Sequence, residues 1–338
     1  MRGDLLYNTD MPRTEDIVES ALEFLQTSCD EYERVDLEEQ RRLKHSTISL
    51  CTGIELVLKA RLSQEHWTLV PANIDRYQEG DWERGSFQSV GLRDAIARLS
   101  EVCHVDISQQ AETAFSDLSD VRNKFTHFVS EESAERVTGT QLRAWHYFVD
   151  LVDDDFLRLT EKQSSALQAI KNRMLQREEF LTVRFEHIRS MIEARIEAGG
   201  DVIVCPFCNH TALSVGEGAV CLVCGSGKSE PGKYAEEYAR RSAHWMSSDE
   251  YYNMQWAAEC SECRERACTV APSELRGKCE EAVLENEGIR RESGVEIEPW
   301  YCFNCGAVYD SIDVVECTRC GKLFARTGEE SLCPSCSW

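Results

Sequence analysis

The chain is short of positive charge. Lys and Arg together number 37 against 60 Asp and Glu, a formal net charge of −23 at pH 7. The deficit runs throughout: residues 1–200 carry 24 basic and 37 acidic side chains, and residues 201–338 carry 13 and 23. Most of such a surface repels a phosphate backbone, which excludes broad, non-specific DNA binding. A nucleic-acid site here has to be a local positive spot, or RNA has to be presented by a partner. Long apolar runs are also missing. No stretch reaches the ~20 residues that cross a bilayer, and Met1-Arg2-Gly3-Asp4 leads into no signal-peptide core. The expectation is a cytoplasmic protein with no membrane partner. Cysteine, finally, is scarce at first: only Cys29, Cys51 and Cys103 fall within residues 1–200.

Beyond residue 200 that scarcity reverses. Fourteen cysteines follow, twelve of them in six Cys-x-x-Cys pairs. In an intracellular chain this pattern signals zinc ligation, not disulfides. Cys205/Cys208 and Cys221/Cys224 stand twelve residues apart, and Cys317/Cys320 and Cys333/Cys336 repeat that spacing. Two such knuckles joined by a short hairpin present four thiolates tetrahedrally, and both sets resemble zinc ribbons. Cys260/Cys263 and Cys302/Cys305 are separated by thirty-eight residues. The simplest pairing joins these two, with an acidic helix inserted near residues 279–292. Alternatively Cys302/Cys305 joins Cys317/Cys320, leaving Cys333/Cys336 to find Cys260/Cys263. Cys268 and Cys279 are left over, and either can replace an assumed ligand. Closed four-sulfur sets lack the open position of catalytic zinc. About three structural Zn2+ ions per chain are therefore expected, supplying folding free energy to segments with few large apolar residues. The acidity of this region suits recognition of a protein partner.

The first 200 residues carry helical periodicity. Residues 14–34 form a first helix with Thr14 as its cap and Ile17, Ala21, Phe24, Leu25 and Tyr32 inward. Residues 36–62 form a second, burying Leu43, Thr47, Leu50, Ile54, Val57 and Leu58. Residues 63–90 break the pattern as an ordered loop. Its Trp67, Tyr77, Trp82 and Phe87 either stack on bases or pin the loop to the bundle. Residues 91–102, 108–127 and 134–160 give three further helices. The run Asp153-Asp154-Asp155 reads as a solvated face, because consecutive helical positions diverge. Over residues 161–198, Leu167, Ile170, Met174, Leu181, Phe185, Ile188 and Ile192 approximate a heptad seam. A continuous helix there is roughly 57 Å long, available to separate two domains or to pair with a second copy. Gly199-Gly200 ends it. The expected fold is mainly α: a helical bundle over 1–160, a long connecting helix over 161–200, and small β-containing zinc ribbons over 201–338.

One stretch concentrates chemistry. Asp120-Val121-Arg122-Asn123-Lys124-Phe125-Thr126-His127 puts an arginine, an amide and a histidine at the end of the fourth expected helix. Asn123 and His127 share a helix face. Arg61–His66 and Arg98–His104 match the same Arg-x(4–6)-His spacing. Only Arg122 is followed by a polar amide and lies on a strong amphipathic stripe with another long helix after it.

This stretch resembles the Arg-x(4–6)-His motif of the HEPN superfamily, and Gly53–Ala60 resembles the second helix of those proteins. The resemblance covers roughly residues 14–160. It implies a small helical bundle acting as a metal-independent endoribonuclease on an RNA substrate. Arg122 would hold the scissile phosphate and His127 would act as general acid or base around the ribose 2′-hydroxyl. Asn123 would fix the geometry of His127. The product would be a 2′,3′-cyclic phosphate, and a homodimer would complete the site. The family context implies bacterial toxin or antiviral defence. A reading of another class keeps the bundle as a non-catalytic dimerisation module and the ribbons as a protein-docking scaffold. The acidity favours it.

Overall fold

Glu39–Glu65 forms the longest helix of the N-terminal bundle, α2, because its apolar and small residues recur at helical spacing over seven turns. In the computed structural model the described residues are 12–34, 38–78, 80–127, 132–152, 156–225, 230–242, 257–287, 298–310, 313–326 and 328–337. Leu43, Thr47, Leu50, Ile54, Val57 and Leu58 are all buried along α2, as expected from the sequence. Helix α1, Pro12–Glu33, packs against it. The two approach so closely at Gly53 that a Cβ there would lie 2.8 Å from Leu25 Cγ. The first helix starts at Pro12, which suits a first helical position. Thr14 is therefore inside the helix, its hydroxyl bonded by Ser63 Oγ at 3.2 Å. The inward stripe of α1 is Val18, Ala21, Leu25 and Cys29, whereas Phe24 is 39% exposed.

After α2 come two single 3-10 turns and a short helix, α3 (Asp81–Arg84). Here Trp67, Tyr77, Trp82 and Phe87 pack on one another, with ring centroids 4.8 Å apart for Trp67–Tyr77 and 5.6 Å for Trp82–Phe87. Arg98 donates to the carbonyls of Leu69 (2.7 Å), Pro71 (2.8 Å) and Ala72 (3.3 Å), which fastens the loop to α4, Leu92–Glu101. The aromatic residues thus fix the loop.

Helix α5, Gln109–His127, buries Ala111, Ala114, Phe115, Leu118 and Val121. Helix α6, Ala134–Leu151, buries Leu142, Trp145, Phe148 and Val149. It stops nine residues before the expected end at 160, where Thr160 instead caps α7, Glu161–Leu175, with a reciprocal bond to Gln163. Asp153–Asp155 lie outside the described residues. The helical stretch expected over 161–200 is two helices, α7 and α8 (Glu178–Glu197), parted by a turn at Gln176-Arg177. Leu167, Ile170 and Met174 are buried within the chain, so this half of the seam is spent on the bundle itself. Arg173 ties α7 to α1 through Asp30 at 2.7 Å and Glu33 at 2.5 Å.

Contacts divide the chain into two compact units, Met1–Val183 and Arg184–Trp338, with the division inside α8. The second unit is built from three small sheets. Strands β1 (Asp201–Val204), β2 (Thr211–Val215) and β3 (Val220–Cys221) form an antiparallel meander. Helix α9, Pro231–Ser242, follows. Then β4 (Glu259–Cys260), β5 (Cys268–Val270) and α10 (Arg276–Glu287) precede β6 (Pro299–Cys302) and β7 (Val308–Asp310). Strands β8 (Val314–Glu316) and β9 (Leu323–Ala325) complete the set. The second sheet has the order β5-β6-β7, and β4 pairs in parallel with β9, giving β4-β9-β8, while Ala258 just before β4 keeps a bridge to Cys268 of β5. The chain is mainly helical, with its small sheets around the cysteines, as the sequence implied. Among the described residues no helix is long and apolar enough to cross a membrane.

Candidate functional site

The cysteine knuckles share one local geometry. In all six, the backbone N–H one residue past the second cysteine donates to the carbonyl of the first: Asn209 to Cys205, Gly225 to Cys221, Arg264 to Cys260, Gly306 to Cys302, Gly321 to Cys317 and Ser337 to Cys333, at 2.8–3.1 Å. Five of those donor residues have left-handed backbones, Asn209 at φ 62°, Gly225 at 66°, Arg264 at 63°, Gly306 at 75° and Gly321 at 69°. Only glycine adopts that conformation without strain, and three of the five are glycine. The turn curls the backbone so that both thiols of a pair point the same way.

Two knuckles then face each other to make each site. Cys205, Cys208, Cys221 and Cys224 form one group, Cys260, Cys263, Cys302 and Cys305 a second, and Cys317, Cys320, Cys333 and Cys336 a third. Within each group all four Sγ atoms lie within 4.8 Å of one another, close enough to hold a metal ion. Adjacent pairing is thus the arrangement that forms, including the long-range one: Cys260 Sγ is 3.6 Å from Cys305 Sγ, and Cys263 Sγ 3.7 Å from Cys302 Sγ. The inserted acidic helix is α10, which begins at Arg276, three residues before the expected start. Cys268 is buried on β5 directly across from Cys302 but outside the set of four. Cys279 is buried on α10, where burial pushes its thiol up to about 11.

Hydrogen bonds already favour thiolate at selected sulfurs. Bonds from Cys205, Cys221 and Cys224 hold the Cys208 thiol far below its ordinary range, while the same clustering pushes Cys221 far above it. The backbone N–H of Cys333, with other amides, draws Cys317 down to about 6. The Tyr309 hydroxyl sits 3.1 Å from Cys260 Sγ, placed to donate to its thiolate. A partner in this position orients a ligand and tunes its basicity.

In the bundle, Ser108 caps α5 by accepting from the Ala111 N–H at 3.2 Å, and the helix runs from there to His127. Arg122 turns toward α2. Its Nη2 lies 3.8 Å from Glu55 Oε2, and its thiol neighbour is Cys51, one turn before Glu55. Burial raises the Cys51 thiol, opposed by the charge of Arg122. Glu55 is fixed in turn by Lys59 Nζ at 2.5 Å, and Lys59 also donates to Ser89 Oγ at 2.9 Å. Arg122 Nε is buried and has no hydrogen-bond partner among the described residues. His127 and Asn123 are both exposed. Asn123 lines a cleft of 590 Å³ between α5 and α6, together with Asp120, Lys124, Arg136, Thr140 and Arg143. The structure therefore sets Arg122 against α2 and Asn123 on the α6 side of the same helix. On α2, Glu55 meets Arg122, whereas His45 is exposed.

The other two Arg-x(4–6)-His pairs are occupied differently. Arg98 is spent on loop carbonyls. Arg61 pairs with Glu65 at 3.0 Å, and His66 Nδ1 is 2.7 Å from Thr68 Oγ1, capping a 3-10 turn.

Sequence reasoning passed over the residue after each second cysteine, although Gly225, Gly306 and Gly321 are visible as Cys-x-x-Cys-Gly. It also passed over Tyr309 and the buried Glu259, which no local pattern marks. Comparison with protein-family models, with curated proteins and with solved structures finds no match.

Proposed function

We propose that the chain is a HEPN-type endoribonuclease that cuts RNA without a catalytic metal, and that its cysteine sites hold three structural zinc ions in a partner-recognition region. The zinc part rests on four clustered sulfurs per site, a donor set and number that suit tetrahedral Zn2+. The nuclease part rests on one contrast among the three Arg-x(4–6)-His pairs. Arg98 and His66 are spent on the loop after α2, whereas the Arg122 motif, its arginine beside Glu55, keeps an exposed imidazole at His127 and, at Asn123, an amide on an open cleft. In this reading Arg122 binds the scissile phosphate and stabilises its developing charge. His127 moves a proton at the 2′-hydroxyl or the leaving oxygen. Asn123 orients the histidine, and a second copy of the chain completes the site.

The test is labelled RNA incubated with the full chain in EDTA. Arg122→Ala and His127→Ala are each expected to lower cleavage about 10²–10⁴-fold with zinc content unchanged, while Arg61→Ala retains most activity. Wild-type protein that leaves every RNA intact sinks the nuclease reading. A second reading then takes over, favoured by the Arg122–Glu55 pair and the acidity: a dimerising bundle whose ribbons dock another protein.

A further inference from the structure

The three cysteine sites are joined in a row. The first grips the second site's knuckle through two backbone hydrogen bonds. Gly216 N–H donates to the Phe303 carbonyl at 3.0 Å and Gly218 N–H to the Asn304 carbonyl at 2.6 Å. Phe303 and Asn304 are the two residues between Cys302 and Cys305, so the β2–β3 turn of the first ribbon grips the second site's knuckle. Gly216 has φ 91°, and a Cβ there would lie 2.5 Å from the Tyr301 hydroxyl. Tyr301, next to Cys302, donates to Asp201 Oδ2 at 2.8 Å, a second tie to the first sheet.

The second site touches the third through a strand and a carboxylate. β4 carries Cys260 and pairs in parallel with β9 of the third ribbon, Glu259 opposite Phe324 and Cys260 opposite Ala325. Glu259, only 6% exposed, accepts from Ser335 N–H at 3.0 Å and from Ser335 Oγ at 2.8 Å. Ser335 lies between Cys333 and Cys336. A residue adjoining a ligand of one site thus holds the knuckle of the next.

We infer that the three sites load metal cooperatively and that the second site transmits the coupling between the outer two. The inference rests on the zinc reading and extends it. Metal at the second site fixes Cys302–Cys305 and β4 in the shapes that the outer ribbons bind. By linkage, metal at either outer site tightens the second by the same factor. The outer sites feel each other through the second site. The arrangement is a three-unit row with nearest-neighbour terms.

The experiment titrates full-length protein with a chromogenic chelator and counts zinc retained per chain. In Cys205→Ser and Cys333→Ser, two adjacent sites remain and stay coupled. In Cys302→Ser the two survivors are the outer pair, deprived of their link. The expected result is that Cys302→Ser releases its remaining zinc at a chelator concentration about 5–150-fold lower than the other two variants, the usual range of such coupling. Two further variants touch no thiol. Gly216→Ala breaks the first junction and Glu259→Ala the second, and each should split the release curve of otherwise wild-type protein into a coupled pair and a single site. Equal retention in all three serine variants, or unsplit curves in both junction variants, overturns the inference. Wild-type protein carrying no zinc overturns the zinc reading with it.

Discussion

At Gly321 the added methyl of an alanine would meet nothing within 4 Å, yet φ is 69°. Any cost of Gly321→Ala is therefore backbone strain alone, about 1–2 kcal/mol for a left-handed residue with a Cβ. Gly139 gives the opposite case. It lies inside α6, also with nothing within 4 Å of a Cβ, and its φ is unexceptional. Gly139→Ala should stabilise the bundle by about 0.5–1 kcal/mol. The same substitution thus carries opposite signs, read as weakened third-site zinc affinity in one variant and a raised denaturation midpoint in the other. A lower midpoint for Gly139→Ala, or unchanged zinc affinity for Gly321→Ala, refutes the respective assignment. Residue identity made the second cysteine's successor visible in three knuckles. Arg264, an unusual choice for a positive φ, hid it in another.

Between elements, the bundle is pinned by one buried amide. Gln141 on α6 is 0% exposed. Its Nε2 donates to Thr47 Oγ1 at 2.7 Å and to the Leu43 carbonyl at 3.1 Å, and its Oε1 accepts from Ser46 Oγ at 3.0 Å. Ser28 on α1 joins by donating to the Ser46 carbonyl at 3.0 Å. Three helices are therefore registered by a closed polar network inside an apolar core. Gln141→Leu leaves hydroxyls of α2 with fewer partners and should cost about 1–3 kcal/mol, checked by urea denaturation. A loss under half a kcal/mol would mean the network contributes nothing beyond packing. Periodicity made the helices and most of their buried faces legible because α5 has one core side, while α2, with no exposed residue from Ser46 to Ser63, was legible by its run of apolar and small residues. It failed where an end has no signal. No glycine or proline marks the break at Gln176-Arg177, and α6 stops at Leu151 although Phe156 continues the apolar pattern. Phe24 misled for a similar reason: spacing records which residues are apolar, not which have a neighbour to cover them.

For the whole molecule, the two units have separate cores, one of aliphatic and aromatic side chains and one built around clustered thiols. Removing metal should therefore unfold the second unit and spare the first. Stripping zinc with a strong chelator is expected to leave a cooperative helical melt for the bundle while the protease resistance of residues 201–338 disappears. Loss of both together would show that the units fold as one. Cysteine spacing made three sites legible, but nothing local could show that β4 pairs with β9, since Phe324 lies 65 residues after its partner Glu259. The carboxylate of Glu259 has a related history in time. Its partner Ser335 lies 76 residues later in the chain. A ribosome adds about 5–20 residues per second, so each new molecule spends roughly 4–15 s with that acid made and its partner not yet made. During synthesis the first site can close on nearby residues, while the middle of the row must wait for its neighbour to be translated.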